Sequence, residues 1–533
     1  MKTVLQEALT PVAMAIFPVL SLYSGNTSVV RVSEVLPSLC LVALIAFLIY
    51  LLLALGLKSP FKSSLIVTGF TFIFFLYGAF FPPERPITNF GTEVDAEPFS
   101  LLPTVAYMML LAGYCGLLLV ILVTKRQLEK PARVVKIFVL SLLVVGLVGI
   151  GIGLVSSYRG LEREQLPATV IASNATGTKL PDIYYIVLDG YGRQDVLSTM
   201  YGVDNSAFLD GLRARGFFIA SESNSNYTHT LQSLASSLNF TYLDHLPGKS
   251  GTLHTRVSLD RLIQENRIGK ILKSSGYTFV EINSDVTTSA NLEIADITID
   301  KTGISTGEFT NSLILRTPLV LYDWIEVFSP QRLHAAHVQF QLRSLETLPR
   351  YDRPIFLFTH IVSPHPPFVF DSKGEITPYA SSFNLNDCSF FMGTLDQYRT
   401  GYVQQMSYVN GEILAAIDHI LSSYAPEDRP IIVLQGDHGP GMKVNAEATT
   451  DSCLWERVSI LNAYLVPEDV RAQLYESISP VNTFPTIVNG VLKTDIERLP
   501  DESYFAPYSK PLDFTLISKE RIATDREREQ GAP

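Results

Sequence analysis

Ile183-Tyr-Tyr-Ile-Val-Leu188, followed at once by Asp189-Gly190, decides the fold. Six apolar residues in a row, rich in β-branched and aromatic types and stopped by a turn dipeptide, make a strand with both faces buried; a strand with one wet face would alternate. Pro354-Ile-Phe-Leu-Phe-Thr359 and Pro430-Ile-Ile-Val-Leu434 have the same form. Helical stretches from Leu259 to Ser274, Leu333 to Leu348 and Asp396 to Ser422 separate such runs, so residues 181–515 read as an α/β domain with a mixed, largely parallel central sheet.

Outward from this domain the composition changes. The whole chain of 533 residues is 47% hydrophobic and only 17% charged, against roughly 25% charged in an average soluble protein, and its mean hydropathy is +0.22. Those values exclude a disordered chain and an ordinary cytosolic enzyme. Residues 1–157 account for them, with ten Lys and Arg, seven Asp and Glu and no histidine; all nine histidines lie beyond Tyr158. The remainder is acidic, which argues against binding nucleic acid through bulk charge.

Five apolar stretches, at about 5–23, 35–57, 63–82, 101–124 and 135–157, approach the ~20 residues that cross a bilayer as helix. In the first, Gln6 and Glu7 lie near the start and Pro11 and Pro18 interrupt it; a signal peptide is the rival, but no small-residue cleavage site is evident. Lys58 and Lys62, then Lys125, Arg126, Lys130, Arg133 and Lys136, mark two loops as cytoplasmic, whereas Glu84, Glu93, Asp95 and Glu97 fit the outer side. Five spans with a cytoplasmic N-terminus place the large domain outside the cell or inner membrane. Residues 158–180 read as a linker and 516–533 as a charged, frayed tail. Cys40 and Cys115 lie in spans, while Cys388 and Cys453 stand in a compartment that permits a disulfide.

In sheets of this class ligands gather at the carboxyl ends of the strands. The first run ends in Asp189, the second leads into Thr359-His-Ile-Val-Ser-Pro-His365 with His360 and His365, and the third gives Asp437-His438. Singly, each has a bland explanation: Asp-Gly is an ordinary turn, and His360 and His365 suit a proline-rich loop. Together they put metal-capable groups at three strand ends. Thr230 opens the helical run Leu231-Gln-Ser-Leu-Ala-Ser-Ser-Leu238, where an N-cap is the commonplace role and a helix N-terminus also favours an anion.

These residues, in this order, resemble the alkaline phosphatase superfamily in its sulfatase-like branch, and within it the lipoteichoic acid synthases and lipid A phosphoethanolamine transferases. The resemblance implies five membrane helices followed by an outer hydrolase-like domain. It implies an acidic metal ligand at Asp189, a nucleophile at Thr230 three residues before Ser233, and a metal pair at Asp437 and His438. It puts substrate-binding histidines at His360 and His365, with His365 on the phosphate. The chain departs from true sulfatases in lacking a Cys-x-Pro-Ser-Arg type signature. It departs from the transferases in having no histidine between Gly439 and Trp455 and only two outer cysteines.

The expected activity is a membrane-anchored, metal-dependent phosphotransferase or phosphodiesterase that moves a phospho-headgroup from a phospholipid, through phospho-threonine at Thr230, to a glycan or lipid acceptor. Asp189, Thr230, Asp437 and His438 form a mostly oxygen set with one imidazole, which suits one divalent ion, Mn or Zn. The alternatives are an ester hydrolase of the same fold and a catalytically inactive extracytoplasmic binding protein.

Overall fold

A computed structural model describes the chain apart from residues 1, 28, 29, 31, 82–100, 160–179, 247–253, 285, 287, 288, 302–306, 323, 326, 327, 378–384, 532 and 533. Two compact units divide it. One gathers the described residues within Met1–Arg85, Asp95–Gly160 and Thr306–Pro330; the other gathers those within Leu161–Ser305 and Gln331–Pro533.

The first unit is built on α1 (Lys2–Ser24), α2 (Val32–Leu57), α3 (Pro60–Phe80), α4 (Leu101–Val123) and α5 (Glu129–Arg159), all long and apolar enough to cross a membrane. Outward residues such as Leu52, Leu102, Met109 and Val145 are exposed and apolar, as expected of helices whose solvent is lipid. Glu7, which weakens α1 as a span in the sequence, pairs with Lys136 of α5 at 2.6 Å; an apolar medium demands that pairing. Lys62, near the start of α3, donates to the carbonyls of Leu122 and Thr124 at the end of α4, capping carbonyls that no helix bond satisfies. The acidic loop carrying Glu84 to Glu97, and most of the linker 158–180, lie outside the described residues.

The second unit centres on a seven-stranded sheet of β1 (Ile183–Leu188), β2 (Phe218–Ile219), β3 (Thr278–Ile282), β4 (Ile297–Ile299), β5 (Ile355–Ile361), β6 (Ile431–Gly436) and β7 (Asn462–Leu465), in the order β2-β7-β6-β1-β5-β3-β4. β6, β1, β5, β3 and β4 run parallel, and β7 alone is antiparallel to its neighbours β6 and β2. Every residue of β1, β5 and β6 is buried. Tyr184, Ile186 and Leu188 join one core layer with residues of the helices Pro330–Glu346 and Leu395–Ser422. Ile183, Tyr185 and Val187 join the other, with residues of Thr230–Ser237, Arg267–Ser274 and Thr483–Leu492. Continuous hydrophobicity in the strands reflects these two helical layers.

Two sequence expectations change, and one open question, the disulfide, is answered. The helix expected from Leu259 to Ser274 is two, His254–Gln264 and Arg267–Ser274, because Asn266 leaves the helix and its side chain caps Gly269 N. Cys388 and Cys453 are buried and unbonded. The tail is not frayed: Lys519–Glu529 is a helix opened by a Ser518 cap. Its Asp525 is 1% exposed and accepts from Leu454 N at 2.7 Å, which stabilises the N-terminus of the short helix Leu454–Val458. Asp525→Ala leaves that donor buried and unpaired, a cost of about 1–3 kcal/mol. The expected outcome is a lower unfolding temperature of the detergent-solubilised full chain in a thermal melt.

Candidate metal centre

Strand register assembles the centre. Leu188 lies opposite Ile361 on one side and Gly436 on the other, so Asp189 and Asp437 leave adjacent parallel strands at the same level, with His360 in the last turn of the pleat of β5. The turn after β1 is locked to its neighbours: Gly190 N donates to Asp437 Oδ1 at 3.0 Å, and His365 N donates to the Asp189 carbonyl at 3.0 Å. Gly439 must be glycine, since a Cβ there would stand 2.1 Å from the Glu456 carbonyl. That close approach brings the helix Leu454–Val458 against the Asp437-His438 loop.

His438 is the hub. Its Nδ1 lies 2.9 Å from the Gly439 carbonyl, which assigns the proton to Nδ1 and leaves the lone pair on Nε2. Around Nε2 stand Thr230 Oγ1 at 3.1 Å, Arg457 Nη2 at 3.3 Å, and Asp189 Oδ1 and Asp437 Oδ2 at 3.4 Å each. Both of those carboxylate oxygens are buried and receive no hydrogen bond. Asp189, His365 and His438, and likewise Asp189, His360 and Asp437, bring ligand atoms within 4.8 Å of one another. Burial opposes ionisation of Asp189, yet His365, a hydrogen bond from His360 and the His438 ring outweigh it and hold the carboxyl well below its usual range. Burial, and then Arg457, push His438 below its ordinary 6.5, so the ring is neutral at pH 7.

Thr230 begins the helix Thr230–Ser237, and Ser233 fixes that turn through Ser233 Oγ to the Tyr227 carbonyl and Ser233 N to the His229 carbonyl. Thr230 is half-buried and so reachable, whereas Thr228 is buried. His365 has its Nε2 3.8 Å from Asp387 Oδ2 and its ring centre 6.0 Å from that of His438. His360 is not where the sequence suggests a substrate contact. It is fully buried, with Nδ1 2.8 Å from Ser289 Oγ and Nε2 3.4 Å from Asp189 Oδ2, so it buttresses Asp189.

Two site residues escape the sequence reading. Arg457 Nη1 donates to Asp387 and, at 3.1 Å, to the Gly439 carbonyl, and Nε donates to the Thr228 carbonyl at 2.6 Å. Asp387 also accepts from Tyr398 at 2.7 Å. Burial opposes both charges; Arg457 with His365 holds Asp387 well below its usual range, and Cys388 with Asp387 keeps the guanidinium firmly protonated. Asp387 follows no strand and Arg457 sits on a one-turn helix, so neither carries a motif.

The charge count tests whether a metal fits. Asp189, Asp437 and Asp387 have side chains no more than 7% exposed, and of the three only Asp387 is paired with Arg457. A divalent ion offsets the carboxylate charge that remains, and the two orphaned oxygens with His438 Nε2 and Thr230 Oγ1 supply ligands of the right kind.

The sulfatase family model matches residues 181–487, more than half the chain. The protein belongs to the sulfatase family, here carried behind five apolar helices of membrane-spanning length. Among solved structures, the C-terminal periplasmic domain of EcEptC from Escherichia coli in complex with Zn is 12% identical, covering 67% of this chain and 97% of that one, with a TM-score of 0.42. The integral membrane protein lipooligosaccharide phosphoethanolamine transferase A (EptA) from Neisseria meningitidis is 12% identical, covering 96% of this chain and 98% of that one, with a TM-score of 0.36. Both likenesses are weak in sequence and in superposition. No curated protein matches the chain in sequence.

The geometry makes metal content the direct check. The purified full chain should carry about one equivalent of Mn or Zn by elemental analysis, and Asp437→Ala should lose it. Metal retained undiminished in that variant places the ion elsewhere.

Proposed function

We propose that this sulfatase-family protein is a metal-dependent phosphotransferase or phosphodiesterase, working outside the cell or inner membrane on a phospholipid headgroup, with Thr230 as nucleophile. The observation that carries this reading is Thr230 Oγ1 at 3.1 Å from His438 Nε2, beside two buried carboxylate oxygens that no described residue satisfies.

Asp189, Asp437, His438 and Thr230 would hold the divalent ion. When bound, it lowers the pKa of the threonine hydroxyl and offsets charge on the phosphoryl oxygens. Thr230 Oγ1 gives its proton to solvent and attacks phosphorus in line, a new O–P bond forms, and the bond from phosphorus to the oxygen of the lipid alcohol breaks. His365, whose ring centre lies 6.0 Å from that of His438, donates a proton to the departing oxygen. Arg457 is too heavily committed to Asp387, Gly439 and Thr228 to move; it holds the Asp437-His438 loop and the Thr230 turn in one frame. A hydroxyl of a glycan or lipid acceptor, or water, then gives its proton to His365 and attacks phosphorus; the bond from phosphorus to Thr230 Oγ1 breaks, and the threonine regains a proton from solvent.

Incubation with phospholipid vesicles followed by peptide mass spectrometry should recover a phospho-adduct on Thr230, and Thr230→Ala should abolish both adduct and headgroup transfer. Modification at Thr228 instead would sink the assignment. Orientation rests on the Lys and Arg of the 58–62 and 125–136 loops. An alkaline phosphatase fused after Pro533 should be active in intact cells, and a fusion active only as a cytoplasmic reporter overturns the topology.

A further inference from the structure

Residues 306–330 lie between β4 and the helix Pro330–Glu346 in the chain, yet they group with the membrane helices. Within that unit the helix Glu308–Leu315 buries Phe309 and Leu313, one turn apart, in a cluster with Val19 and Tyr23 of α1, Val35 of α2 and Phe75 of α3. Thr310 Oγ1 lies 2.8 Å from Ser38 Oγ of α2. Gly78 N of α3 donates to the Arg316 carbonyl at 3.0 Å, and a Cβ on Gly78 would stand 2.8 Å from Arg316 Cβ, so only glycine permits this backbone approach. Val320 then packs with Tyr77, Phe80 and Phe81 at the end of α3 and Tyr107 near the start of α4.

All of these contacts fall at one end of the bundle. Alternating spans bring together the end of α1, the start of α2, the end of α3, the start of α4 and the end of α5. Just beyond Val320 come Leu321, Tyr322 and Trp324, exposed by 54%, 50% and 71%. Large apolar and aromatic residues have no reason to stand in water there, and Trp and Tyr concentrate where bilayer meets water. The patch directly follows Val320, which is itself docked on α3 and α4.

We infer that the described residues from Glu308 to Trp324 are a second membrane anchor, a segment from far along the sequence that plugs the bundle end and seats Leu321, Tyr322 and Trp324 in the lipid headgroup layer of the leaflet at that end. The occupant of the patch is the bilayer interface. This rests on the membrane helices and not on the chemistry proposed for Thr230, so the two stand or fall separately.

The chain holds two tryptophans, and Trp455 is fully buried, so the difference in emission between wild type and Trp324→Phe reports position 324 alone. In phosphatidylcholine–phosphatidylglycerol vesicles, that difference should be quenched several-fold more by lipid brominated close to the headgroup than by lipid brominated near the chain ends, and little by aqueous iodide. Quenching by iodide with none by brominated lipid overturns the inference and marks the patch as a water-facing surface for a protein partner. A second measurement uses a protease site inserted between Gly160 and Pro181 of the full chain. After cleavage in membranes, the fragment carrying residues 181–533 should stay bound through a high-salt wash, and the same fragment from Gly78→Leu with Trp324→Glu should be released. Release of the wild-type fragment by cleavage alone refutes the second anchor.

Discussion

Carboxylates held out of water beside one neutral imidazole are the constraint on which the catalytic unit depends. Asp189 and Asp437 each present an oxygen without a donor to His438 Nε2, and the effective penalty for removing such an ion from water is several kcal/mol. One buried guanidinium, Arg457, offsets only Asp387. The surroundings are arranged to hold this costly cluster in place: parallel register sets the level of the two strand ends, Gly439 admits the Glu456 carbonyl, and the helix carrying Arg457 is itself held at its N-terminus by Asp525. The charged C-terminal tail is thereby coupled to the site through two hydrogen-bonded steps.

The same physics acts in the membrane unit with lipid in place of protein interior. Glu7 is tolerated inside a span because Lys136 meets it, and Lys62 is spent on carbonyls at a helix end. The first span is more buried than α2, α4 or α5, which accounts for its weaker apolar character: it is surrounded by helices, not by lipid alone. The bundle also recruits residues 306–330 from far along the chain, so the boundary between membrane and catalytic parts is not a single point in the sequence.

Much of this was legible beforehand because it depends on local patterns. Apolar runs with both faces buried give β1, β5 and β6; their ends give Asp189, His360, Asp437 and His438; five long apolar stretches give the spans. His360 was misplaced because a strand end says which residue is near a site and not which way its ring turns. Asp387 and Arg457 were missed because an aspartate in an irregular stretch and an arginine on a one-turn helix have no periodicity to betray them. The helical tail was hidden by its charge: its burial amounts to one side chain, Asp525, too little to leave an amphipathic signature.

The sequence by itself determined the two-part composition, the α/β class and the residue types able to bind a metal, since hydropathy period and turn chemistry are properties of adjacent residues. Only the tertiary structure decided that Thr230, Asp189 and Asp437 converge on His438 Nε2, that Arg457 and Asp387 pair beside it, and that the described residues within 306–330 belong to the bundle. Those outcomes depend on distances between residues tens to hundreds of positions apart, which register and packing fix and no local pattern encodes.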